Sequence, residues 1–210
     1  MAGIAGYLKL MVITESHAGR RHEDVARAAL KAGCKAIQLR DKSIGDREFC
    51  ELASILLEEC KDADALLIID DRVDVAAAVN ANGVHLGVDD IDVLSARWIL
   101  GPGSIIGYSP ETMEDARGAI DGGAEYLGVG PVFETQTKPD AGTAIGTHLL
   151  RDYCRAFEVP VVAVGGITPG NAREALQAGV TGVAVVSAVS RAGDMEAAAR
   201  AMMEAIGAGR

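Results

Sequence analysis

A chain of 210 residues, 49% of them hydrophobic, is long enough for one sizeable core and short enough that a single domain, residues 1–210, is the default. Its formal charge of −10 argues against a nucleic-acid partner, because phosphate backbones select basic surfaces, and an aromatic content of 4% leaves few platforms for stacking bases. The apolar stretch MAGIAGYLKLMVIT carries no basic leader and is too short to cross a bilayer, so it reads as a first strand and no membrane partner is expected.

The elements alternate in chain order. The pattern predicts a strand over Tyr7–Thr14 and a helix over His22–Ala32, then strand Ala36–Arg40 with helix Asp46–Lys61, and strand Leu66–Asp70 with helix Val73–Ala81. Strand Gly83–Leu86 precedes helix Ile91–Leu100, strand Ser104–Tyr108 precedes helix Thr112–Asp121, and strand Tyr126–Gly130 precedes helix Thr147–Ala156. The series ends with strand Val161–Val164, helix Pro169–Ala178, strand Gly182–Val186 and helix Asp194–Ile206. The strands are continuous apolar runs, as expected of a parallel sheet covered on both faces. Eight βα repeats predict an α/β fold in which the sheet closes into a (β/α)₈ TIM barrel. Gly33, Gly83, Gly122–Gly123, Gly179 and Gly182 fall between helix ends and the next strands, where left-handed caps are expected. Cys34, Cys50, Cys60 and Cys154 show no C-x-x-C spacing and read as reduced thiols of a cytoplasmic protein. A homo-oligomer is compatible with this sequence.

Function in such a barrel lies at the carboxyl ends of the strands. The third and fourth strands each end in paired acids, Asp70–Asp71 and Asp89–Asp90. Neighbouring carboxylates repel unless neutralised, so the pairs invite a divalent cation such as Mg²⁺, with Asp71 and Asp90 facing a common cavity. One acid of each pair is expected to cap the following helix. Gln38 and Arg40 share a parity on the second strand and Lys42 follows, a set suited to a phosphate or diphosphate. The structural alternative pairs Arg40 with Asp41 or Asp71. His85 lies within the fourth strand and reads as an interior residue. Ser109, after the fifth strand, either donates to a phosphate or caps the next helix. The sixth strand runs into a long loop with Thr135, Thr137 and Lys138, as in substrate-covering loops. The last two strands end in Gly165–Gly166 and Val186–Ser187, where many barrels hold a phosphate on backbone N–H groups and a short helix. Two anion sites suit an enzyme that joins two phosphorylated halves.

Taken in order, IQLRDK, DDRVDVA, GVHLG-x-x-D, IIGYS, YLGVGPVFET-x-TK, VGGIT and GVAVVSA resemble the strand-end motifs of the thiamine phosphate synthase family over nearly the whole chain. The resemblance implies a transferase that joins 4-amino-5-hydroxymethyl-2-methylpyrimidine diphosphate to a thiazole phosphate, giving thiamine phosphate and diphosphate. It implies Mg²⁺ ligands at Asp71 and Asp90. It implies contacts to the pyrimidine diphosphate at Gln38, Arg40, Lys42, Ser109 and Lys138, with Arg40 and Lys138 stabilising the leaving group and Asp70 adjoining it. It places the thiazole phosphate at Thr135, Thr137, Gly166, Val186 and Ser187, and His85 beside the pyrimidine. Two positions depart from the family pattern: Asp70 stands where Asn is usual, and Val88 where Gln is usual. A thiazole tautomerase of the same fold and a non-catalytic phosphate-binding regulator are the competing readings. Asp71, Lys138 and Pro131 after Gly130 weigh against them.

Overall fold

Eight short parallel strands hydrogen-bond in sequence order and close on themselves. They are β1 (Leu10–Ile13), β2 (Ala36–Arg40), β3 (Leu66–Asp70), β4 (Gly83–Leu86), β5 (Ile105–Tyr108), β6 (Tyr126–Val129), β7 (Val161–Val164) and β8 (Gly182–Val185), and β8 returns to pair with β1. The computed structural model describes residues 3–135, 137 and 142–207. Helices α1 (His22–Lys31), α2 (Asp46–Asp62), α3 (Val73–Val79), α4 (Val93–Leu100), α5 (Met113–Asp121), α6 (Gly146–Ala156) and α7 (Ala172–Gln177) follow the first seven strands. After β8 come a one-turn helix, α8 (Ser187–Ser190), and α9 (Met195–Gly207). The closed parallel barrel predicted from strict alternation is the observed architecture.

Strand periodicity divides the core in two. Outward residues such as Val12, Ile37, Leu39, Leu67, Ile69 and Leu127 are wholly buried beneath the helices. Burying each such side chain contributes about 1.5–3 kcal/mol. Inward residues Met11, Ile13, Ile68, Tyr126 and Val162 form a separate cluster inside the barrel.

The structure corrects the predicted elements in four places. The expected first strand begins at Leu10, because Ile4–Lys9 is a 3-10 helix instead. It carries the wholly buried Leu8 into the interior cluster and closes the lower end of the barrel, which apolar strand residues alone leave open. Gly83 and Gly182 are not left-handed caps. They lie in strands where a methyl would overlap the Ile105 and Leu8 carbonyls, whereas Asn80 (φ 55°) caps α3. Helix α7 starts at Ala172 and not at Pro169, because Thr168–Asn171 is a turn in which Asn171 Oδ1 accepts from the Thr168 N–H at 2.7 Å. Finally, neither acid pair caps a helix. Arg72 precedes α3 without a side-chain cap, and α4 is capped by Asp92, which accepts from Ser95 N–H at 2.9 Å.

Candidate active site

The upper strand ends open onto one cavity of about 1110 Å³. Register decides which residues reach it. Arg40 pairs with Asp70, Asp70 with His85, His85 with Gly107 and Gly107 with Tyr126, so strands β2–β6 each place one inward residue on a common rung. Gly107 is the residue that makes room, since a methyl there would overlap the Tyr126 ring.

The rung carries a buried polar set. His85 Nδ1 lies 2.9 Å from the Tyr126 hydroxyl, and Nε2 lies 2.8 Å from Ser109 Oγ. Gln38, only 3% exposed, lines the same cavity, its Nε2 donating to Met11 Sδ at 3.6 Å. Desolvation pushes the His85 imidazole down to about 4, against a smaller upward pull from the charge of Asp90, so the ring is neutral at pH 7. Desolvation, with help from the charge of Asp70, pushes the Tyr126 hydroxyl far above its ordinary value. Ser109 therefore serves His85 and does not cap α5, whose cap is Thr112.

His85 makes stability depend on pH. The unfolded chain protonates this ring near 6.5, the folded one only near 4, so the unfolded state binds the extra proton between those values. Stability is therefore expected to fall as pH drops through that window, by about 3 kcal/mol from this group alone. Urea unfolding at pH 7 and pH 4 checks this against a His85→Asn variant, whose pH dependence should be smaller. Equal dependence in both proteins would remove His85 as the cause.

Beside the rung lies a cluster of opposite charges. Arg40 Nε is 3.7 Å from Asp70 Oδ1, and Lys42 Nζ is 3.8 Å from the same oxygen and in direct ion contact with Asp71. Asp41, an alternative partner for Arg40, turns instead to His22 at 2.9 Å. Asp90 Oδ2 accepts from the Gly87 N–H at 2.7 Å, closing a tight turn. Asp71 and Asp90 share a side pocket of about 110 Å³ with Asp70, Arg40, Lys42 and Ser109. No group of three or more His, Cys, Asp or Glu among the described residues is arranged to hold a metal ion. An ion here would draw at most a small part of its shell from the protein.

The opposite wall is built from β6, β7 and β8. Gly165 and Gly166 have φ of +91° and +67°, and a methyl on Gly166 would meet the Phe133 and Glu134 carbonyls. The Asn171 amide donates to the Gly166 carbonyl at 2.9 Å and holds this turn. Thr137 Oγ1 lies 2.9 Å from Ser187 Oγ, and Thr135 Oγ1 accepts from the Thr137 N–H at 3.2 Å. Val186 lines the cavity next to Ser187. Lys138 lies outside the described residues. The structure thus brings every other predicted site residue to this one cavity. It adds Tyr126 to the lining and Asn171 as the holder of the Gly166 turn, both of which sequence reading misses. The signal for Tyr126 is its inward parity on a strand flanked by glycines. For Asn171 it is the three-residue spacing from Thr168.

A family model described as thiamine monophosphate synthase matches residues 10–189. The thiamine-phosphate synthase of Archaeoglobus fulgidus is 46% identical over 206 residues, covering 98% of this chain and 97% of that one. That of Moorella thermoacetica is 44% identical over 199 residues and covers 95% of each chain. Among solved structures, a thiamine phosphate pyrophosphorylase from Pyrococcus furiosus matches with a TM-score of 0.92 at 41% identity, covering 99% of both chains. On this full-length identity and shared barrel, the chain belongs to the thiamine monophosphate synthase family.

Proposed function

We propose that this chain is a Mg²⁺-dependent thiamine phosphate synthase, condensing 4-amino-5-hydroxymethyl-2-methylpyrimidine diphosphate with hydroxyethylthiazole phosphate. The observation that supports this reading is that two polar sets, Arg40 with Lys42 and Gly166 with Ser187, line separate parts of one cavity, each suited to an anion. A volume of about 1110 Å³ suits two small substrates bound together.

Asp71 and Asp90 fit Mg²⁺: they are hard oxygen donors on one pocket, and this ion takes one or two protein carboxylates and completes its shell with water and phosphate oxygens. When bound, the ion supplies positive charge for the leaving diphosphate. Arg40 and Lys42 hold that diphosphate, and Lys138 joins them. Asp70 adds a negative charge that Arg40 and Lys42 offset at 3.7 and 3.8 Å. The bond between the exocyclic methylene and the diphosphate oxygen breaks with its electron pair on the oxygen. The aminopyrimidine delocalises the resulting positive charge, and the thiazole nitrogen supplies the lone pair for the new C–N bond. Gln38 and His85 flank the pyrimidine. His85 is neutral there and so does not repel the cationic ring. Thr135, Thr137, Gly166, Val186 and Ser187 hold the thiazole phosphate. No side chain acts as nucleophile.

A cytoplasmic setting is part of this proposal. It is supported by four free cysteines, two of them buried, with Cys34 and Cys60 pushed up to about 11 and about 12 chiefly by desolvation and therefore inert as thiolates. No helix among the described residues is long and apolar enough to cross a membrane. The tautomerase and regulator readings gain no support from the relatives named above.

Incubation with both substrates, with and without Mg²⁺, tests the proposal. Equimolar, metal-dependent formation of diphosphate and thiamine phosphate is expected. Isomerisation of a thiazole carboxylate phosphate alone, or binding without turnover, would overturn it.

A further inference from the structure

We propose that His22 is a positioning residue for the diphosphate site, acting through Asp41 to fasten the strand end that carries Arg40 and Lys42. The inference rests on the reading that these two cations bind the diphosphate.

His22 opens α1, far from any predicted motif, yet it is only 5% exposed and both ring nitrogens are engaged. Nδ1 lies 2.8 Å from Thr14 Oγ1 and Nε2 lies 2.9 Å from Asp41 Oδ2. Opposite a carboxylate, Nε2 carries the proton, which leaves Nδ1 to accept from the Thr14 hydroxyl. Thr14 is 1% exposed at the end of β1, and its N–H donates to the Gln38 carbonyl at 2.8 Å. The other Asp41 oxygen accepts from Ser43 N–H at 2.7 Å, Ser43 Oγ at 2.6 Å and Ile44 N–H at 3.3 Å. One carboxylate thus ties together the ends of β1 and β2, the start of α1 and the loop beyond Lys42.

The consequence lies in where Asp41 points. Arg40 and Lys42 line the cavity, while Asp41 between them does not. Burial opposes ionisation of Asp41, but the bonds from Ser43 and His22 outweigh it and keep the carboxyl below its ordinary value. A charged Asp41 released from the clamp would be free to turn toward Arg40 or Lys42 and compete with the diphosphate. The clamp directs two cations inward and the intervening anion outward.

This role and plain electrostatics predict opposite signs. Deleting a negative charge near a polyanion should strengthen its binding, whereas loss of a clamp should weaken it. Asp41→Ala and His22→Ala are each expected to raise KM for the pyrimidine diphosphate roughly tenfold, with KM for the thiazole phosphate within about twofold. The double variant should be no worse than the poorer single one, because the two residues act as a unit. Asp41→Asn should restore most of the affinity. Its amide can accept from Ser43 and donate to Nε2, with His22 switching tautomer and donating to Thr14. An unchanged or lowered KM in Asp41→Ala, or equal rises for both substrates, would overturn the proposal. So would an Asp41→Asn variant as impaired as Asp41→Ala. If His22→Ala does not fold, the two Asp41 variants decide alone. Lys42→Ala separates the underlying reading: if its KM for the diphosphate is unchanged, that reading falls and this inference with it. If Lys42→Ala binds poorly and Asp41→Ala does not, only the clamp fails.

Discussion

Asp71→Ala is expected to lower kcat/KM of the condensation by about 10²–10³-fold and to raise the Mg²⁺ concentration needed for half-maximal rate. Two effects of opposite sign meet at this residue. On the proposed reading, removing this side chain takes away one of the two carboxylates offered to the cation. It also releases the Lys42 ammonium, which contacts Asp71 directly. The first effect should dominate, because a cation shared with the diphosphate acts on the charge that develops as the bond breaks. The second returns only a half-exposed side chain on a flexible stem. Initial rates across a Mg²⁺ titration, with diphosphate release as readout, separate the two. A variant with lowered rate but unchanged Mg²⁺ dependence would reassign Asp71 to holding Lys42.

Arg40→Ala should raise KM for the pyrimidine diphosphate about 10²-fold and leave the thiazole phosphate nearly unaffected. Here the contributions add. On the proposed reading the guanidinium no longer attracts the diphosphate, and Asp70, 3.7 Å from Arg40 Nε, loses a cationic neighbour and repels the same ligand. Unit charges about 4 Å apart interact by about 4 kcal/mol at an effective dielectric near 20, and solvent at this one-third exposed side chain reduces that to about 2–3 kcal/mol. Asp70→Asn is the matched control and should lower KM, since it removes the repulsion while keeping the shape. Steady-state kinetics with each substrate varied in turn read both changes. If Arg40→Ala and Asp70→Asn shift KM in the same direction, the charge argument is wrong.

The barrel was legible because strand and helix periods differ. Continuous apolar runs set against amphipathic segments repeat eight times, and that repetition has few other three-dimensional solutions. Parity carried the site as well: Gln38 and Arg40 share the inward face, and His85 sits inside, as strand geometry requires. What escaped was decided by packing across the sheet. Ile4–Lys9 has the composition of a strand and becomes a plug only because the barrel bottom needs closing. Tyr126 reads as an ordinary core aromatic until register sets it against Gly107 and beside His85. The cap expected at Asp89 or Asp90 falls instead to Asp92, because the helix starts later, at Val93. The His22–Asp41 contact joins residues 19 apart, with no local spacing to announce it.

The plug beneath the barrel also bears on how substrates arrive. Apart from Gln38 and Tyr126, the barrel interior beneath the charged groups is hydrocarbon: Leu8, Met11, Ile13, Ile68 and Val162. Such a floor is weakly polarisable, so the field of the charged groups above it is little dissipated downward and is felt chiefly through the mouth. Elsewhere a chain of net charge −10 repels anions. The cavity lining is no exception, since Arg40, Lys42 and Arg191 stand there among Glu15, Asp70, Asp71, Asp89, Asp90, Glu111 and Glu134, so an incoming phosphate needs a further cation to offset those acids. The apolar floor thereby makes the mouth the place where one added cation changes most what the barrel attracts.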